Sequence, residues 1–289
     1  GRTTYCHPVL EAKLVTRDGL VLSLMTELVE NPSAYPSKQD CELNAFYRLA
    51  QRLKERFPRL PLCLLLDGLY AGGPTFSLGE RFGWKYLVVL QEDDLPSVQE
   101  EFRALLTLSP GNHLTFRPAG AYRTVQEFTW ANDIAYIDSD GHPHTVSVIR
   151  CLETKPAAQG EQVTRFQWIT NLKVDHHNVT ELANEGGRLR WKIENEGFNV
   201  QKNGGYALEH TYSHHPVSAK VYYLLLQLAH TIAQLIARGS LFRQAFPTGV
   251  GSAKNLAWRL LEAWRNTALS AEQIQQMFGT RVQIRLQPP

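Results

Sequence analysis

Apolar and polar residues follow two different periods in the first part of the chain. Between residues 7 and 30, two apolar runs flank residues 17–19, Arg-Asp-Gly. An Asp-Gly pair between such runs predicts a β-hairpin with a tight turn. In residues 37–57 the apolar positions are instead three and four apart, which predicts a helix. Ser37 and Asp40 resemble a capping box at the start of this helix.

Two short runs are apolar at every position, residues 62–66 and residues 86–90. They alternate with predicted helices at 72–83 and 93–106. Continuous apolar runs between helices are typical of parallel strands that helices cover on both faces. The hairpin adds antiparallel strands, so we expect a mixed sheet, with the 62–66 strand in a central, buried position.

The pattern then changes to β-rich stretches that Gly, Pro and Asp-Gly turns separate. Helical periodicity returns at 178–202, 216–237, 252–266 and 270–278. We predict an α/β fold in three parts: a first part of the core (1–111), a β-rich insertion (112–177), and a second core part with C-terminal helices (178–289).

Composition fits a soluble globular protein, because 43% of the 289 residues are apolar and 20% are charged. The net charge of +2 permits a nucleic-acid partner without arguing for one. The four cysteines form no CxxC pair, which favours reduced thiols in a cytosolic protein. The longest apolar segment, 221–237, contains Gln227, His230 and Gln234, so it fits a core helix better than a membrane span.

One carboxylate, Asp67, directly follows the 62–66 run. Ligands of open α/β sheets bind outside the carboxyl ends of the strands, and a carboxylate there suits a hard cation. The alternative is a turn or capping residue, since Gly68 follows at once.

A second candidate is the polar helix predicted within residues 187–205. Arg190 and Glu194 are four residues apart and share one helical face, and Lys202 lies about two turns further on. Such a carboxylate between cations can bind a metal while its neighbours hold phosphates. The alternative is an ordinary surface ion pair of little energetic weight.

Taken together, the two stretches resemble the DDE-type transposases of bacterial insertion sequences, in the group with a β-rich domain between the second Asp and the Glu. The family has an RNase H-like core. Its second catalytic Asp ends the fourth strand after an apolar run, as Asp67 does here. Its Glu lies on a helix with an Arg four residues earlier, as Glu194 and Arg190 do. Residues 165–174 also resemble a segment that precedes this helix.

Three positions depart from the family's pattern. Gly187 stands where the family has Tyr, Gln201 stands where it has Lys, and Lys202 is one residue late. Glu196 is a nearby competitor for the metal-ligand role.

The resemblance implies metal-dependent cleavage at element ends and strand transfer into target DNA, with two Mg²⁺ (or Mn²⁺) ions held by Asp67 and Glu194. The first catalytic Asp of the family belongs to a strand before the hairpin. We expect that residue upstream of residue 1, because Asp18 sits in the hairpin turn.

The implied partner is double-stranded DNA, with self-association in a synaptic complex, no membrane, and a nucleoid-associated place in the cytoplasm. Arg190 and Lys202 are the candidate phosphate-binding residues. Trp130 and Trp168 are candidates for stacking on a flipped base, and core packing is their alternative role. Two other functions stay open: a metal-dependent nuclease on the same core, and a catalytically incomplete DNA-binding remnant.

Overall fold

A computed structural model describes residues 8–29, 41–120, 123–157, 160–210, 212–213, 215–249 and 251–279. The predicted capping residues Ser37 and Asp40 lie outside this set. The chain divides into two compact units. We call residues 50–190 the sheet unit, and residues 1–49 together with 191–289 the hairpin unit. The two compact units divide the chain after residues 49 and 190. The domain boundaries predicted after residues 111 and 177 are a different division of the chain and stay a prediction.

The described strands are β1 (Val9–Val15), β2 (Val21–Leu28), β3 (Cys63–Leu66), β4 (Lys85–Val89), β5 (His113–Phe116), β6 (Val125–Ile137), β7 (Pro143–Ala157) and β8 (Gly160–Thr170). The described α-helices are α1 (Glu42–Arg56), α2 (Gly73–Phe82), α3 (Pro96–Leu108), α4 (Val179–Glu181), α5 (Arg190–Lys192), α6 (Val200–Asn203), α7 (Pro216–Arg238), α8 (Ser240–Ala245), α9 (Ala253–Asn266) and α10 (Ala271–Gly279). Each predicted helix and strand has a counterpart here, and Gly83 ends α2 in the left-handed conformation.

The sheet unit contains one six-stranded mixed sheet in the order β3-β4-β8-β7-β6-β5. Strands β3 and β4 are parallel, as predicted, and every other pair is antiparallel. The β-rich segment therefore does not form a sheet of its own, because β8 pairs directly with β4. The prediction of a mixed α/β fold, with a mixed sheet flanked by helices, is confirmed. The antiparallel strands of this sheet are β5 to β8 and not the predicted hairpin, because β1 and β2 form a two-stranded sheet of their own.

The position predicted for the strand before Asp67 differs from the observed one. Within the described residues, β3 pairs only with β4 and forms one edge of the sheet. Cys63 is exposed, and the three leucines that follow it are half-buried. The expectation of a central strand buried on both faces is not met, because β3 has one neighbouring strand among the described residues and its leucines stay partly accessible.

The core of the sheet unit lies between the sheet and the helical turns that begin at α4. Its fully buried side chains come from β4, β6, β7, β8 and the start of α4: Leu87, Phe128, Trp130, Ile149, Trp168 and Val179. Burying large aromatic and aliphatic groups in this way supplies the dominant favourable term in folding.

In the hairpin unit, the β1–β2 hairpin packs against α7 through polar contacts. The turn between the strands is tight, and Gly19 adopts φ +89° there. The Gln234 side chain accepts a hydrogen bond from the Val21 N–H at 2.8 Å and donates to the Val21 carbonyl at 2.9 Å. An amide side chain thus extends the hydrogen-bonding edge of β2 towards the helix. None of the helices in the described ranges combines the length and apolar character that a membrane span requires.

Buried amides continue this polar layer on α6 and α7. Gln201 is fully buried and exchanges two hydrogen bonds with Gln227, at 2.8 and 3.1 Å. Gln201 also donates to His230 Nδ1 at 3.0 Å, so this nitrogen is an acceptor and the imidazole is neutral. Burial, together with the nearby charge of Lys13, lowers the pKa of His230 to about 4.

We expect the stability of the protein to fall as the pH decreases from 6.5 to 4. Between these values the unfolded chain protonates His230 and the folded chain resists it, so the unfolded state binds more protons. Full protonation should cost about 3 kcal/mol, at 1.36 kcal/mol per pKa unit. Thermal unfolding of a His230→Gln variant should depend less on pH over this range. The same substitution at the exposed His113 is the control; equal pH profiles for the two variants would contradict the prediction.

Candidate functional site

Asp67 lies at the carboxyl end of β3, in the loop that leads to α2. Its backbone is extended, and one carboxylate oxygen accepts the N–H of Leu69 at 3.1 Å. This bond caps the short 3₁₀ turn Gly68–Tyr70. The capping role that the sequence left open is therefore present. A cap uses one oxygen and leaves the second able to bind a ligand, so the two roles are compatible.

The loop around Asp67 is closely packed. Tyr70 is buried, and its N–H donates to the Asp67 carbonyl at 3.2 Å. A side chain at Gly68 would contact the side chain of Gln91, which follows β4, the strand next to β3. Two backbone N–H groups of the turn thus hold Asp67, one through its side chain and one through its carbonyl, which supports a defined position for the carboxylate.

Glu194 lies in a continuous helical segment from residue 179 to residue 203 that changes its winding several times. The stretches Leu182–Gly186 and Ile193–Asn199 are π-helical. π-Helical turns are rare in proteins as a whole, but those that occur are often found at functional sites. Glu194 is half-buried within the second one, and Arg190 stands four residues before it. Asp67 belongs to the sheet unit, and Glu194 belongs to the hairpin unit.

Two charged residues near Glu194, Glu196 and Lys202, form ion pairs of their own. Glu196, the competing carboxylate, forms an ion pair with Lys192 at 3.3 Å. It also lines a pocket of about 240 Å³ with Tyr206 and His230. Lys202 is exposed and lies 2.9 Å from the exposed Glu209. Because Gln201 is buried, Lys202 is the residue that presents a cation to solvent.

The glycine at position 187 has a structural reason. Its Cα lies against the indole of Trp168, and any side chain there would overlap the ring. Gly186 approaches Leu87 of β4 in the same way. The family's tyrosine cannot occupy this position next to Trp168, so the departure reflects the packing of the helical segment on the sheet.

We expect Gly187→Ala to destabilise the protein by about 1–3 kcal/mol, the usual cost of overpacking a filled core. The direction is informative, because Gly187 has helical backbone angles at which alanine would otherwise be favoured. Denaturant unfolding measures the change. Gly111→Ala is the matched control, since no atom lies within 4 Å of an added methyl group there. Equal effects at the two sites would refute this explanation.

Trp130 and Trp168, predicted as base-stacking residues, both lie in the core. They are 1% and 2% exposed. Trp168 stacks on Phe166, with ring centroids 5.9 Å apart, and the edge of Trp130 meets His176. Neither indole presents a face to solvent, so we remove both from the DNA-binding candidates. Core packing, the alternative left open for them, describes both.

One polar cluster was not predicted from the sequence. Asp138, Asp140 and His142 place their ligand atoms within 4.8 Å of one another at the turn between β6 and β7, and could hold a metal ion. Asp138 is buried, whereas the other two are exposed. The alternation of acidic and histidine residues from 138 to 144 is a signal in the sequence, but Ser139-Asp140-Gly141 reads first as a turn.

Asp138 is also tied to His144 of β7. Its second oxygen lies 3.1 Å from His144 Nε2, and His144 Nδ1 lies 2.9 Å from Glu80 of α2. Backbone hydrogen bonds to Asp138, chiefly from His142, outweigh burial and lower the pKa of this carboxyl to about 2. The carboxylate is therefore ionised at neutral pH.

Comparison of the chain with protein-family models and with curated proteins gives no match. The functional interpretation consequently depends on the residues and their geometry.

Proposed function

We propose that the chain is part of the catalytic core of a DDE-type transposase that cleaves DNA at element ends and joins them to target DNA. The observation that carries the proposal is the order of elements around Asp67. A carboxylate follows a strand that is parallel to its neighbour, an antiparallel β-rich segment comes next, and a helix with Arg190 and Glu194 follows that segment.

The strand arrangement also supports an RNase H-like interpretation. In that fold, β1 and β2 would be the second and third core strands, and β3 and β4 the fourth and fifth. The first strand would then pair with β3. Within the described residues, the edge of β3 opposite β4 has no partner strand, so its backbone groups are available to such a strand.

The family's metal site contains three carboxylates. The proposal assigns two of them, Asp67 and Glu194, to residues of this sequence.

Asp67 and Glu194 suit divalent ions such as Mg²⁺, because carboxylate oxygens are the donors that hard cations prefer. One Asp67 oxygen caps the 3₁₀ turn, and no protein group among the described residues hydrogen-bonds to the other. When bound, the ions would supply Lewis-acid stabilisation for in-line phosphoryl transfer. Asp67 would hold its ligand atom fixed through the cap and the packed loop. Glu194 would present the second carboxylate from the π-helical turn.

Arg190 and Lys202 would bind the DNA backbone. A guanidinium binds phosphate through two parallel hydrogen bonds, whereas an exposed ammonium acts as a point charge. Lys202 is the more accessible of the two. Double-stranded DNA as substrate, self-association in a synaptic complex and a place at the nucleoid belong to the same proposal.

The decisive test is a strand-transfer assay with the intact protein, Mg²⁺ or Mn²⁺, and DNA that carries candidate terminal inverted repeats. Metal-dependent cleavage followed by joining is expected. Cleavage without joining would favour a nuclease on the same core. DNA binding without cleavage by either metal would favour a catalytically incomplete remnant.

A further inference from the structure

The turn at the end of β6 is attached to the loop that carries Asp67 through helix α2. Asp138 follows β6 directly, and its side chain is only 3% exposed. One of its oxygens accepts the backbone N–H groups of Asp140 and His142, at 2.9 and 2.8 Å. The turn therefore holds the carboxylate in a single orientation.

The other side of Asp138 faces the first residue of α2. A side chain at Gly73 would overlap the Asp138 carboxylate, so this close approach requires glycine. A negative charge at the N-terminus of a helix stabilises that helix through the exposed N–H groups of its first turn. The residue before α2, Gly72, has no capping side chain of its own. Asp138 thus provides this end of the helix with a charge from a distant part of the chain.

Further contacts along α2 keep it on the β6–β7 turn. His144 bridges Asp138 and Glu80, at 3.1 and 2.9 Å. The buried Phe76 ring packs on His144 with centroids 5.7 Å apart, and stacks on Tyr86 of β4 at 5.2 Å. The helix is therefore held at both its first and its last turn.

Asp67 is only six residues before the start of α2, and the 3₁₀ turn Gly68–Tyr70, which Tyr70 anchors in the core, lies between them. A shift of α2 would consequently move the cap that orients Asp67. We propose that Asp138 is a positioning residue for Asp67: the inserted β-strands fix the proposed metal ligand by holding the N-terminus of α2. The effect of Asp138 on metal-dependent cleavage depends on the proposed function. Its effect on the position of α2 and of the Asp67 loop does not.

The test compares Asp138→Asn with Asp133→Asn. Asparagine at 138 keeps the acceptor for the two backbone N–H groups and removes the charge that faces α2. Asp133 lies on the same strand, β6, and its side chain is 74% exposed, so its substitution is a matched change of charge. For Asp138→Asn we expect the Mg²⁺ concentration at half-maximal cleavage to rise about tenfold, with the maximal rate nearly recovered at high Mg²⁺. Asp133→Asn should change neither quantity.

Hydrogen exchange provides a readout that is independent of cleavage. In Asp138→Asn, the amides of residues 68–82 should exchange faster, while those of β7 and β8 keep their protection. Gly73→Ala should produce the same exchange pattern, because the added methyl group would push α2 away from Asp138. This variant replaces Asp138→Asn in the experiment if the latter does not fold.

Unchanged exchange and unchanged Mg²⁺ dependence in Asp138→Asn would overturn the inference. An equal rise in the Mg²⁺ requirement for Asp133→Asn would also overturn it, because the loss of any carboxylate on β6 would then have the same effect. If the wild-type protein does not cleave DNA, the proposed function fails, and the exchange experiment alone decides whether Asp138 holds the Asp67 loop.

Discussion

Asp67→Asn is expected to abolish metal-dependent DNA cleavage while leaving the fold intact. Asparagine can still accept the N–H of Leu69, and Asn and Asp are equally good caps. The substitution therefore removes the negative charge and little else. The rate should fall by more than about 100-fold, the upper range for groups that only support a metal ligand. Cleavage assays over a range of Mg²⁺ and Mn²⁺ concentrations measure the loss.

The matched control is Asp94→Asn. Asp94 follows β4 as Asp67 follows β3, and its carboxylate likewise caps a turn, accepting the N–H of Gln91 at 2.8 Å. We expect it to retain activity within about twofold, because it performs the same local task outside the motif. Normal cleavage by Asp67→Asn would remove Asp67 from the metal site. An equal loss in both variants would show that turn capping, not metal binding, explains the effect.

Local patterns predicted the elements of this fold, but not which of them are neighbours. Asp-Gly predicted the hairpin turn, the predicted helix at 72–83 became α2, and the two apolar runs became parallel strands. The edge position of β3 depends on which strands pair with it, and no feature of residues 62–66 encodes that pairing. A continuous apolar run corresponds to a buried strand only when other elements cover both of its faces.

The side-chain roles divide in the same way. Arg190 and Glu194 are close in sequence, so their place on one helical segment could be predicted locally. The burial of Trp168 involves Gly187, which lies nineteen residues later in the chain and which no local pattern connects with it. Gln201 points into the core because it forms two buried hydrogen bonds with Gln227, and Lys202 is therefore the residue that faces solvent. Asp138 reads as a turn residue in sequence and becomes a buried carboxylate only because α2 packs over it.

Glu153→Gln is expected to destabilise the sheet unit strongly. Glu153 of β7 is 3% exposed, and Arg188 approaches its two oxygens at 2.5 and 3.0 Å. Burial disfavours the ionised form, but hydrogen bonds from Arg188, Lys155 and Gln126 outweigh it and lower the pKa of Glu153 to about 2. The stabilisation is therefore present above pH 4.5 and is lost as the pH falls towards 2. Removing the carboxylate charge leaves Arg188, which is 26% exposed, without its partner, and we expect a cost of about 2–3 kcal/mol, below that of breaking a fully buried pair.

The exposed pair of Arg165 and Glu92 provides the control in the same sheet. Its atoms are 2.9 Å apart, but the side chains are 38% and 78% exposed, so Glu92→Gln should cost less than about 1 kcal/mol. Chemical unfolding at pH 7 separates the two variants. Replacing both Glu153 and Arg188 with methionine should recover part of the loss, because Arg188 is then no longer left without its partner and the half-exposed Lys155 is solvated by water. Equal costs for Glu153→Gln and Glu92→Gln would mean that water reaches the Glu153–Arg188 pair. The sheet would then hold the helical segment through the close contacts at Gly186 and Gly187 and not through this ion pair.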